Sequence, residues 1–133
     1  MILVARIEKT IEGKTYGPFT AQVYDKDNTR AYLNYVDNIG AIPPEPRDDG
    51  IAFQYGMVCG FTEGYQGDRW LAMRDYLDGL LLAGMEFNLF QVPTEKLHIG
   101  ETQCCWWPDD ATKVKSLTTD ELYDFVFRSA DDE

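Results

Sequence analysis

The chain has 133 residues, of which 44% are hydrophobic and 14% aromatic, enough for one folded domain that needs neither disulfides nor a metal to hold its core. Its 23 acids against 12 bases leave a net charge of −11, a sign that repels nucleic acid and favours cationic partners. Cys59, Cys104 and Cys105 lack framework spacing, the first residues lack the basic region of a secretion signal, and no apolar run approaches the roughly 20 residues of a membrane span, so reduced thiols in a cytoplasmic protein are expected.

In chain order, Ile2 to Thr10 and Thr15 to Tyr24 are rich in β-branched and aromatic residues and flank Glu12-Gly13-Lys14, which predicts a hairpin. Capping side chains at Asp27, Asn28 and Thr29 and a glycine at Gly40 bracket a short helix from about Thr29 to Asn38. Pro43, Pro44 and Pro46, followed by Arg47-Asp48-Asp49-Gly50, make residues 40 to 50 a surface loop. Ile51 to Cys59 reads as a strand with a bulge or close approach at Gly56 and Gly60.

Asp68 then caps a long helix to about Ala83, because Trp70, Met73, Leu77, Leu80, Leu81 and Gly84 recur at intervals of three and four. Glu86 to Val92 and Leu97 to Trp107 supply two strands around Pro93 to Lys96. Thr118-Thr119-Asp120-Glu121 is a capping box that opens a last helix from about Thr119 to Ser129, and residues 130 to 133 form a frayed acidic tail. The expected fold is a single α+β domain over residues 1 to 133. Its antiparallel sheet of four to five strands packs against one long central helix, with a short helix in the N-terminal half and another at the C-terminus.

No pattern points to catalysis. If Leu97 to Trp107 is one strand, His98 and Cys104 lie about 20 Å apart and cannot share a metal unless the chain bends at Gly100. His98 is the single histidine, Gly56, Gly60, Gly64 and Gly67 lack the Lys-Ser/Thr of a phosphate loop, and carboxylate pairs such as Asp75 with Asp78 arise readily in so acidic a chain. Neither a catalytic residue, a metal nor a cofactor is assigned.

Binding is the better reading. Residues 1 to 74 hold 10 acids and 8 bases, whereas residues 75 to 133 hold 13 and 4, so the negative field belongs to the C-terminal part. Asp109, Asp110, Asp120, Glu121 and Asp124 are its candidate contact residues. Trp106 and Trp107 are neighbours, and neighbours on a strand face opposite ways, so one of them is a candidate exposed anchor unless a second layer covers it. Tyr65 and Trp70 lie in a Gly- and aromatic-rich stretch from residue 60 to 70 that is either a recognition loop or a connection packed onto the core.

The expected partner is a protein with a basic surface, most concretely a nucleic-acid-processing enzyme that the chain inhibits stoichiometrically; no direct contact with nucleic acid or membrane is expected. Small size, acidity and poverty of motifs are shared with the inhibitors that phages deploy against restriction or CRISPR enzymes, a likeness of composition that no residue carries. Two alternatives stay open. One is a small-molecule or nucleotide sponge, or a minor enzyme, using residues 61 to 70 with Glu63, Gln66, Arg69 and Arg74. The other is a structural or assembly component.

Overall fold

The first strand, β1 (Ile2–Ile11), alternates two kinds of side chain: Leu3, Ala5 and Ile7 on one face, Ile2, Val4, Arg6 and Glu8 on the other. The computed structural model describes residues 1–17, 46, 48–70 and 84–131. β1 turns through Glu12 (φ 52°) and Gly13 (φ 81°), the paired positive dihedrals of a tight hairpin turn, into β2 (Lys14–Tyr16), with Ile11 opposite Lys14. The hairpin read from the sequence is therefore present; the rest of its second strand, residues 18 to 24, lies outside the described residues.

On its other side β1 pairs along its length with β4 (Glu86–Val92), from Ile2 opposite Val92 to Glu8 opposite Glu86. β4 in turn pairs with β7 (Thr112–Leu117), completing a four-stranded antiparallel sheet in the order β2-β1-β4-β7. A second sheet has the order β3-β6-β5, with β3 at Val58–Gly60, β5 at His98–Ile99 and β6 at Cys104–Trp106. Among the described residues the α-helices are α1 (Tyr65–Trp70) and α2 (Thr119–Asp131).

Each face of the larger sheet has its own cover. Ala5, Ile7, Phe87 and Leu89 meet Leu122, Phe125 and Val126 of α2, together with Phe61 and Met85. On the opposite face Val4 and Val92 meet Leu97, Cys104 and Trp106 of the second sheet region. The molecule is thus mostly β among the described residues, and this corrects the expected α+β layout of one sheet under a long central helix. The physical reason is that the C-terminal helix and a second sheet already bury both apolar faces. The predicted helix over 29 to 38 and most of the one over 68 to 83 lie outside the described residues; the described part starts three residues early, at Tyr65.

Three further expectations change. Ile51 to Cys59 is a strand only from Val58, because residues 52 to 56 are exposed and turn at Tyr55 and Gly56. Leu97 to Trp107 is a hairpin, folded at Gly100 to Gln103, so that His98 lies opposite Cys105. β7 is an addition to the expected strands: Thr112-Lys113-Val114-Lys115-Ser116-Leu117 does alternate, but its outward residues are as polar as its inward ones. The strand also carries one extra residue, Val114, between the pairs Leu89–Lys115 and Phe90–Lys113. The C-terminal helix agrees with its capping box and extends to Asp131, two residues beyond its expected end.

A polar chain crosses the sheet on the face of the second layer, buried at Arg6, Glu8 and Asn88 and ending at exposed Ser116. Arg6 Nε donates to Glu8 Oε2 at 2.8 Å, Asn88 Nδ2 donates to Glu8 Oε1 at 2.8 Å, and Ser116 Oγ donates to Asn88 Oδ1 at 2.9 Å. Arg6 Nη1 also reaches the Cys59 carbonyl oxygen at 2.7 Å, tying β1 to β3. Burial of an ion pair requires such additional partners, because each charge gives up its water.

The two sheets also meet at one backbone junction. Ala5 and Phe61 exchange both of their hydrogen bonds, at 2.8 and 2.9 Å, on the side of β1 away from β4. Gly60 precedes this junction. A β-carbon there would overlap the Ala5 carbonyl oxygen and stand 2.7 Å from Trp106 Cη2.

Candidate functional site

Met57 and Trp107 flank the last paired residues of β3 and β6, Val58 and Trp106, so the connection entering β3 and the connection leaving β6 lie side by side. Before β3, Met57 N–H donates to the Gln54 carbonyl at 3.1 Å and Gly56 holds φ 103°, the positive dihedral that the third position of such a turn demands. This puts Tyr55 at the corner, where it is 92% exposed. After β6, Trp107 caps a 3-10 turn, Pro108–Asp110, whose Asp110 N–H donates back to the Trp107 carbonyl at 3.0 Å.

The Trp107 ring lies across Gly56, with Cζ3 only 3.0 Å from where a β-carbon would be. Trp107 keeps 37% of its surface exposed and Phe53, on the same connection as Tyr55, keeps 37%. Trp107 and the turn that carries Tyr55 thus form a ledge beside the acids of the 3-10 turn, Asp109 and Asp110, and Phe53 lies two residues before Tyr55 on the same connection. Of the two adjacent tryptophans, Trp106 is 1% exposed and fills the core with Val4, Val92, Leu97 and Cys104, so it is not an anchor in this geometry. Strand alternation anticipates this division. Phe53 and Tyr55 escape a sequence reading because Ile51 to Cys59 has the composition of one strand; Gly56, two residues before β3, is the available turn signal.

Asp120, Glu121 and Asp124 stand elsewhere, on the first two turns of α2. β7 separates them from Asp109 and Asp110, and at about 3.3 Å per residue its six residues span roughly 20 Å. That strand carries Lys113 and Lys115, both exposed. The C-terminal acids therefore form two groups with a basic strand between them, rather than one continuous face. Glu121 and Asp124 border an open groove of about 320 Å³ between β7 and α2, floored by Leu89, Leu117 and Phe125.

Glu121 has a structural duty there. It accepts from Thr118 N–H at 3.1 Å while its own N–H donates to Thr118 Oγ1 at 3.1 Å, and its carboxylate pairs with Lys115. The bond from Lys115, then that from the Thr118 amide, holds the Glu121 carboxyl below the usual glutamate range. A lowered folded-state value means that its support of α2 is in place above that range and is lost as pH falls through the folded value. A carbon-detected NMR titration of Glu121 should show the depressed midpoint, and Lys115→Met should bring it back toward the ordinary value; an unchanged midpoint would remove Lys115 as the leading cause.

The 61–70 stretch is mostly packing. Phe61 is fully buried, Gly67 abuts Val126, and Gln66 is buried with its side chain committed: Oε1 accepts from Thr62 N–H at 3.1 Å and Nε2 donates to the carbonyls of Gly100 and Gln103 at 2.8 and 3.0 Å. Gln66 is thus unavailable as a pocket group. Tyr65, at the start of α1, is 61% exposed; the side chains of Arg69 and Trp70, and all of Arg74, lie outside the described residues.

Asp49 also grips this hairpin turn, through the turn's amides rather than its carbonyls. Its buried carboxylate accepts from Thr102 N–H at 2.9 Å, Thr102 Oγ1 at 3.1 Å and Gln103 N–H at 3.1 Å. Among the described residues no group of three or more His, Cys, Asp or Glu side chains is arranged to hold a metal, and no helix is long and apolar enough to cross a membrane. No curated protein and no solved structure matches the chain. The family model described as the bacteriophage T4 Y00F protein does match, over residues 1–120, a span that takes in every strand and the start of α2, and the chain therefore belongs to that phage protein family.

Proposed function

We propose that this phage protein acts by binding a host or phage protein that carries a basic surface, and that it inhibits a nucleic-acid-processing enzyme by occupying its basic groove. The observation that carries the reading is the ledge of Tyr55 and Trp107 beside Asp109 and Asp110. Exposed Tyr and Trp on a fixed turn supply contact area at small entropic cost, and an adjoining acidic rim orients a cationic partner. With a net charge of −11 the whole chain favours the same partners at a distance.

The ledge is the primary contact. Asp120, Glu121 and Asp124 contribute at longer range, because Lys113 and Lys115 intervene. Tyr65 is available as a further exposed aromatic, whereas Trp106 is buried in the core.

Affinity capture from lysate of infected host cells tests this, using the wild-type chain, a Tyr55→Ser/Trp107→Ser variant and an Asp109→Asn/Asp110→Asn variant. A nucleic-acid enzyme should be retained by the wild type at low salt, released as salt rises, and lost from the first variant. Loss of two anchors of this kind costs about 2 kcal/mol or more each, at least a tenfold change in affinity apiece. The second variant should bind more weakly with a shallower salt dependence. Retention that ignores both salt and the ledge substitutions would overturn the proposal, and an activity assay of the captured enzyme with added wild-type chain decides whether binding inhibits.

A further inference from the structure

Antiparallel strands β3 and β6 set Cys59 directly opposite Cys105, and the two Sγ atoms approach to 2.7 Å. Opposite residues of an antiparallel pair have Cα atoms about 4.5 to 5.5 Å apart, inside the range of roughly 4.4 to 6.8 Å that a disulfide bridges without moving the backbone. We propose that Cys59 and Cys105 form an oxidation site, at which a two-electron oxidant of the hydroperoxide class converts two thiols to one disulfide across β3 and β6. The site does not depend on what the aromatic ledge binds.

The two sulfurs have different parts. Cys59 is half-buried and Cys105 fully buried, so Cys59 is the sulfur that meets the oxidant in this proposal. The hydrogen bond from Cys105, and then the positive charge of Arg6, favour the Cys59 thiolate against the opposing effect of burial, while that same bond and burial keep Cys105 a thiol. In the first step the Cys59 thiolate attacks a peroxide oxygen: an S–O bond forms, the O–O bond breaks, and the departing oxygen leaves as alcohol or water after taking a proton. In the second step the Cys105 sulfur attacks the Cys59 sulfenic acid, the S–S bond forms, the S–O bond breaks, and the thiol proton leaves with hydroxide as water. One hydroperoxide is reduced by two electrons and the two thiols supply them.

Cys104 is excluded by its direction. As Cys105's neighbour on β6 it points to the opposite face, where it packs at 0% exposure among Val4, Val92, Leu97 and Trp106.

The test uses the reduced, folded full-length chain, treated with hydrogen peroxide, then denatured, alkylated and weighed, with fragmentation of the linked peptides. Treated wild type should lose the mass of two hydrogens, carry one alkyl group, and yield a peptide in which Cys59 is joined to Cys105 with Cys104 alkylated. Cys104→Ala should form the same link, and Cys105→Ala should accumulate a Cys59 sulfenic acid that dimedone traps. Three alkylated cysteines after treatment, or a link that uses Cys104, would overturn the proposal; the wild-type fragmentation decides this whatever the variants do.

Discussion

Gly60→Ala should destabilise the protein by about 3 kcal/mol, the upper end of what a single added methyl group costs in a packed interior, and should lower its thermal midpoint by roughly 10 °C. The backbone at Gly60 is of ordinary dihedral, so the effect is steric: the new β-carbon overlaps the carbonyl oxygen of Ala5 and crowds Trp106. Neither obstacle is the end of a flexible chain. Relief requires β3 to move off β1, and that movement stretches the hydrogen bonds between Ala5 and Phe61 and reopens the core at Trp106. Gly13→Ala provides the contrast, since its β-carbon meets nothing within 4 Å and only the positive φ opposes it, a strain of about 1 kcal/mol. Equal thermal midpoints for the two variants would show that the β1–β3 junction is loose.

Asp49→Ala should cost about 3 kcal/mol in chemical denaturation, because it removes three bonds made to a charged acceptor inside the structure. Its effect has an address. Thr102 and Gln103 should lose protection from amide exchange, while the β1–β4 pairing keeps its protection until global unfolding. Asp49→Asn retains one acceptor oxygen and should cost roughly half as much. An Asp49→Ala protein of wild-type stability, with Thr102 and Gln103 still protected, would mean that the carboxylate decorates the turn and Gln66 alone holds it.

The close approach at Gly60 is legible in the sequence, where a glycine inside a strand-like run signals it, whereas Asp49 falls where the sequence is hardest to read. Local signals are legible: Gly13 between two β-rich runs marks the first hairpin, Glu86 to Val92 is the fourth strand residue for residue, and the Thr118–Glu121 capping box opens the C-terminal helix. What escapes is anything decided between distant segments. Asp49 looks like one more loop acid until residues 102 and 103 meet it, and Gln66 looks like a free pocket group until Gly100 does. The strand expected from Leu97 to Trp107 contains a suitable turn glycine at Gly100, yet its apolar content outweighs that signal. The acidic segment reads as one surface because its spacing along the chain is short, and only the paired, lysine-bearing β7 divides it.

The candidate site is half visible for a related reason. Alternation alone implies that Trp106 and Trp107 part company, and the structure buries Trp106 and exposes Trp107. That Tyr55 joins Trp107 depends on β3 pairing with β6 across a long stretch of intervening chain, which periodicity within either segment does not encode.

The central place of β1 sets an order of events in time. Its residues are made well before those of its long-range partner, β4, which begins at Glu86, and before the helix that seals the sheet face, which begins at Thr119. At roughly 5 to 20 residues per second, a ribosome needs several seconds between the two strands. Through that interval Leu3, Val4 and Ile7 await β4, because the hairpin to β2 pairs Lys9 to Ile11 and the bridge to Phe61 engages Ala5. Such non-local pairing is slow to form, so the finished molecule assembles late, around a strand made long before its partners.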